Sequence, residues 1–231
     1  MEKDRNNKEP LILGLETSYR ICGVSLTRGE KLIAELNIDA YRSHTEKLLN
    51  LIIDLLRYAE MELKMVDLIA VSIGPGSYTG LRVGLSTAKG LAFSLNRPIV
   101  GVRTHLVLAY PFRNYARWLC SVIPSKSGEI YRVYFEFRNG KCKKQEGMGA
   151  IKLEEFYSEL KKKKPAICGI VDGLDLNYLE NFVGCQFLSK KGSFPESYYV
   201  SVLGYEKYLA GDFSDIITLE PFYIKDFPDR K

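Results

Sequence analysis

Residues 68–95 constrain the fold more than any other stretch. Leu68, Ile69, Val71 and Ile73 make an apolar run of strand length, and Gly74-Pro75-Gly76-Ser77 stops it abruptly. Such a run ending on turn residues predicts a buried strand and a sharp turn. From 81 to 95 there is no proline, and apolar or small residues recur every three or four positions, so a helix follows. Gly80, Gly84, Ala88 and Ala92 fall four apart and share one helix face. A face of small residues admits another backbone closely. Each glycine inside a helix costs about 1 kcal/mol relative to alanine, so the stripe calls for a compensating contact. The turn itself admits two readings: a cradle for a phosphate or adenylate, or a tight turn under a closely packed helix. The lysine and following hydroxyl of a P-loop are absent, and the spacing is not G-x-G-x-x-G.

With 231 residues, 46% of them hydrophobic, the chain can bury one large core or two smaller ones. No run approaches the length of a membrane span and residues 1–10 lack the apolar stretch of a signal peptide, so a cytoplasmic protein is expected. Five cysteines, an odd number without C-x-x-C, favour free thiols over a disulfide frame or zinc knuckle. With only His44 and His105, histidine-based metal chemistry has little to work with. The formal net charge of +5 is compatible with RNA but also with a solvated surface. The runs Lys161 to Lys164, Lys143-Lys144 and Lys190-Lys191 read as exposed helix ends and loops, because no aromatic RNA-binding signature accompanies them.

Taken in order, residues 1–10 read as a flexible tail, and 11–15, 21–27 and 31–37 as an antiparallel three-strand start. Ser43 and Glu46 match a capping box opening a helix over 44–60. That helix is apolar nearly all round: Leu48, Leu49, Leu51, Ile52, Ile53, Leu55, Leu56 and Ala59 leave a narrow polar stripe, which predicts burial on more than one side. The central strand, turn and helix come next, then a strand over 98–102. A similar order restarts at 118, with strands over 118–123 and 131–137, a turn at Asn139-Gly140, an ill-defined third strand, a helix over 153–163 and a strand over 166–170. A helix over 198–210 and a strand or arm over 219–224 complete the chain. The expected fold class is α/β, with two diverged βββαβα units. The division expected is 11–110 and 111–231, with the boundary somewhere within 103–117 and the last helix and arm packing back on the first half.

Gly74-Pro75-Gly76-Ser77-Tyr78-Thr79-Gly80-Leu81-Arg82-Val83-Gly84, with Ala88-Lys89-Gly90-Leu91-Ala92, closely resembles the signature of the bacterial TsaB (YeaZ) family of tRNA threonylcarbamoyladenosine biosynthesis proteins. Leu13 to Ser18, His44 to Leu49, Gly128 to Tyr131 and Glu220 to Ile224 are similar to other segments of that family. The family is glycoprotease-like (M22-like) and belongs to the superfamily of actin, sugar kinases and heat-shock ATPases. The resemblance therefore implies the actin-like ATPase (ribonuclease H-like) fold. It also implies that an acid ending the first strand and another in the second half would flank nucleotide phosphates and magnesium. Glu16 with Thr17 and Ser18 stands at the first place, whereas the second holds Pro124-Ser125-Lys126 and no carboxylate. Glu16, Thr17, Ser18, Gly74, Gly76 and Ser77 are thus candidates for a degenerate nucleotide site.

The paired-histidine H-x-x-x-H metal motif of the related TsaD transferase is missing. The resemblance implies a non-catalytic subunit that supports a TsaD-like transferase, together with a TsaE-like ATPase, in modifying the adenosine beside the anticodon of tRNA. No metal or cofactor is assigned to the chain itself, ATP and magnesium entering at the level of the complex, and tRNA is met through that complex. Partner-binding candidates are Leu48, Leu49, Ile52, Leu55, Leu56, Gly80, Gly84, Ala88 and Ala92, serving a TsaD-like partner or a homodimer when the chain is alone. An ATP-dependent phosphotransferase or M22-like peptidase on the same fold is the rival expectation.

Overall fold

The computed structural model describes residues 9–40, 44–125, 128–172, 174–183, 185–190 and 192–224. The chain forms two compact units, one of residues 1–103 and 196–221, the other of 104–195 and 222–231.

In the first unit β1 (Leu11–Glu16), β2 (Ile21–Arg28) and β3 (Lys31–Asp39) form an antiparallel meander, and β4 (Leu68–Gly74) and β5 (Ile99–Arg103) add in parallel, giving the order β3-β2-β1-β4-β5. The crossovers are α1 (His44–Tyr58) and α2 (Tyr78–Leu95). The expected capping-box residue Ser43 lies outside the described residues. Strand alternation sorts the sheet into two faces. Leu11, Leu13, Leu15, Val24, Ile69 and Val71 build one apolar core with Leu48, Ile52, Leu55, Leu85 and Ala88 of the two helices. Small residues Gly14, Ser25 and Ala70 line the other face, and a helix from far along the chain lies against them: Ser25 Oγ donates to the Ser197 carbonyl at 2.7 Å, and a Cβ on Gly204 would meet Ala70.

The second unit repeats the start. β6 (Trp118–Pro124), β7 (Glu129–Arg138) and β8 (Lys141–Lys152) are antiparallel and β9 (Ala166–Gly169) joins β6 in parallel, in the order β8-β7-β6-β9. Asn139 and Gly140, at φ 52° and 70°, turn β7 into β8, as two successive positive-φ residues do in tight hairpins. α3 (Thr104–Ala109) packs on β6, β7 and β9, while α4 (Leu153–Lys163) contributes Phe156 and Leu160 to a core with Cys120, Val122, Tyr134 and Ile167. Among the described residues between β9 and residue 196 the chain forms the short turn α5 (Leu176–Tyr178) and a wide turn over Leu179–Val183. The helix α6 (Ser197–Leu209) groups with the first unit, and the division between the units falls at Arg103/Thr104 and again before Glu196. Residues 219–224 form no strand; Ser214, further back, makes a single bridge to Ile99.

Candidate functional site

The strand-end candidates converge in the first unit. Ser77 caps α2, its Oγ accepting from the Gly80 amide at 3.3 Å, and its own amide donates to the Ser18 carbonyl at 2.7 Å. Thr17 Oγ1 donates to the Gly80 carbonyl at 2.8 Å. The glycines explain this closeness. A Cβ on Gly76 would overlap the Ser18 carbonyl oxygen, one on Gly80 the Thr17 carbonyl oxygen, and one on Gly84 the Thr17 hydroxyl. Thus the start of α2 is clamped onto Thr17-Ser18, and Gly74, at φ 113°, redirects the chain into it.

Glu16 sits behind that clamp, fully buried. Its Oε1 accepts from the Ser18 amide, while Oε2 is buried without a hydrogen-bond partner among the described residues. Burial pushes its carboxyl up from 4.5 to about 7, outweighing Ser18 and Ser72, which pull the other way. A magnesium–phosphate site needs open carboxylate oxygens. Glu16 presents one occupied and one buried oxygen, and Gly76 is backed by Ser18, so these six residues do not fit that group. Ser72 was not legible as a neighbour of Glu16 in sequence, because it lies on a different strand.

The small-residue stripe corrects the partner-binding expectation. Gly80, Gly84, Ala88 and Ala92 are all buried within the first unit, the two glycines against Thr17 and the alanines in the core beside β4. The compensating contact is therefore internal. Leu48, Ile52, Leu55 and Leu56 of α1 are likewise buried in the same core. Of the expected partner residues only Leu49 is exposed, at 53%; Ile53 one turn on is 62% exposed and Phe93 on α2 80%. Phe93 was not among the expected partner residues, although its place among the exposed Arg82, Ser86 and Ser94 marks an apolar residue on a polar face.

In the second unit, Ser125 ends the strand by donating its amide to the Glu129 carbonyl at 2.8 Å. His105 is buried, its Nδ1 3.1 Å from Ser121 Oγ and its Nε2 without a partner among the described residues, and burial lowers it from 6.5 to about 3. The five cysteines are free, four of them buried. Among the described residues no group of three or more His, Cys, Asp or Glu is placed to hold a metal ion, and no helix is long and apolar enough to cross a membrane.

Two mixed sheets of matching strand order, each opening with an antiparallel meander, place the chain in the actin-like ATPase (ribonuclease H-like) class of fold. The profile of the TsaD family, described as tRNA N6-adenosine threonylcarbamoyltransferase, matches residues 38–189. The TsaB protein of Buchnera aphidicola from Schizaphis graminum is 30% identical over 193 residues, 81% of this chain and 89% of that one. The TsaB of Bacillus subtilis is 28% identical over 218 residues, 93% of each chain. A crystal structure of a Pseudomonas aeruginosa protein described as similar to peptidase YEAZ superposes with a TM-score of 0.74 at 23% identity, over 94% of this chain and all of that one. The chain belongs to the TsaB (YeaZ) family.

Proposed function

We propose that this protein is the non-catalytic partner subunit in threonylcarbamoyladenosine modification of the adenosine next to the tRNA anticodon. It binds and supports a TsaD-like transferase, with a TsaE-like ATPase joining the pair in the cytoplasm. The observation that carries the reading is similarity over nearly the whole chain to proteins named for that biosynthesis. Clamped glycines and a buried Glu16 at the strand ends support a binding rather than a catalytic role.

The proposed docking face is the outer side of α1 with the end of α2, centred on Leu49, Ile53 and Phe93, in place of the buried stripe. Burying an apolar side chain of that size yields roughly 1.5–3 kcal/mol, so three of them contribute usefully against the cost of association. The same face serves self-association when the transferase is absent. Leu49→Asp with Ile53→Asp is expected to leave a folded protein that no longer elutes with its organism's TsaD in size-exclusion chromatography. Undiminished co-elution of the folded double variant would remove this face from the interface.

A further inference from the structure

We propose that the exposed end of the β6–β7–β8 sheet in the second unit is an RNA-binding surface, with Trp118 as a stacking platform and Arg117, Arg138, Lys141 and Lys143 as phosphate contacts. Residues 113–146 hold eight lysines and arginines against three acids, so the chain's whole formal excess of +5 resides in this segment.

The sheet assembles these groups from separated positions. Trp118, Glu136 and Lys144 are direct cross-strand partners on β6, β7 and β8, and so stand in a row on one face. Further along that face α4 covers Tyr134 and Cys120, but Trp118 remains 37% exposed. Arg117 and Arg138 converge on a single oxygen of Glu136, with Nε–O distances of 2.9 and 2.7 Å. Their hydrogen bonds hold the Glu136 carboxyl below its ordinary range. Two guanidiniums on one carboxylate leave a surplus positive charge, fixed in place and more than half exposed. Lys141 stands opposite Arg138, and Lys143 occupies an irregularity in the ladder. No ion pair engages either lysine among the described residues. Tyr115, largely exposed, precedes the row.

Fixed cations beside an accessible indole are what a single-stranded or looped RNA needs: phosphates neutralised along its backbone and a base face to stack on. A protein partner would be met by a less charged centre. The aromatic missing from the sequence around Lys143-Lys144 is thus supplied across the sheet, 26 residues upstream of Lys144. The surface rests on the proposed function only for the identity of the RNA, which in the assembled complex is the substrate tRNA.

Trp118 is the chain's one tryptophan, so its fluorescence reports on the surface directly. Titration of the full chain with a tRNA transcript and with oligouridine should quench that emission. Lys141→Gln with Lys143→Gln is expected to weaken binding by roughly tenfold and to flatten the salt dependence by up to about 0.7 per lysine removed. Anisotropy of labelled RNA should show Trp118→Phe retaining most of the binding and Trp118→Ala losing about as much as the lysine pair, with circular dichroism checking that each is folded. TsaD binding measured on the same preparations separates the two readings. RNA binding unchanged by the folded variants, no RNA binding with TsaD binding intact, or quenching by anionic phospholipid vesicles instead of RNA would each overturn the surface. Loss of TsaD binding with lysine-dependent RNA quenching preserved would overturn the partner reading alone.

Discussion

Gly74 ends β4 at φ 113° and Gly169 ends β9 at φ 108°, so corresponding strands of the two units finish in the same backbone region. Beyond these two glycines the units diverge. After Gly74 the chain caps an eighteen-residue helix, α2, pressed against Thr17 and Ser18 through Gly76, Gly80 and Gly84. After Gly169 the described residues form two short turns, over 176–178 and 179–183, and the glycine amide donates instead to Ser189 Oγ at 2.8 Å. The strand end is the shared inheritance of the fold, and the glycine clamp is the first unit's own. A motif that looks like a ligand cradle in sequence can thus be occupied by the chain's own carbonyls.

The largest expected effect tests that clamp. Gly84→Leu should destabilise the first unit by about 3 kcal/mol or more, because its side chain has to displace Thr17. A Cβ added at Gly90 on the same helix would meet no neighbouring group within 4 Å, so Gly90→Ala should stabilise by about 1 kcal/mol. Urea midpoints of the two variants check the pair, and equal effects would show that the clamp is not what Gly84 serves.

Next in size is an opposition in pH response between the units. The Glu16 carboxyl, raised to about 7, favours the protonated folded state, so its contribution is full below about pH 4.5 and is lost as pH rises towards 7. His105, lowered to about 3, contributes in full above about pH 6.5 and loses that contribution as pH falls towards 3. Glu16→Gln should therefore gain stability over the parent at pH 8, on the order of 2–3 kcal/mol, and little at pH 4. His105→Gln should gain at pH 4 and little at pH 8. Thermal melts of both variants across that range read the signs, and parallel profiles would dissolve the contrast.

The smallest effect concerns the returning helix. Glu35 on β3 accepts at one oxygen from Ser197 Oγ at 2.8 Å and from the Tyr198 amide at 2.9 Å, so it caps α6 from another element. Glu35→Ala is expected to cost about 1 kcal/mol. Hydrogen exchange should quicken first at the start of α6. Unchanged protection there would show that packing alone holds the helix.

Most strands and helices were legible because their apolar periodicity is strong; α4 spans the residues the pattern marks. β8 was not, since it is an edge strand whose first five residues are exposed and therefore carry no alternation. The spacing of Gly80, Gly84, Ala88 and Ala92 disclosed that a close contact exists but not its partner, because Thr17 lies 63 residues before Gly80 and only the sheet brings it near. Of the candidate site, Glu16 and the glycines could be named in sequence. The burial that closes them to magnesium could not, since it arises only when the sheet brings strands and the α2 turn together around Glu16. The row from Trp118 to Lys144 was invisible for the same reason: register, not sequence distance, makes them neighbours.

The return of α6 to the first sheet sets a timetable for a chain made from its N-terminus. β1 to β5 are complete once residue 103 is made, yet the helix that covers Gly14, Ser25 and Ala70 begins at Ser197. At roughly 5–20 residues per second, about 90 further residues leave that sheet face open for something like 5–20 seconds. Throughout that interval the nascent first unit offers an uncovered sheet to whatever meets it at the ribosome, and residues 104–195 of the second unit are synthesised before the first can close.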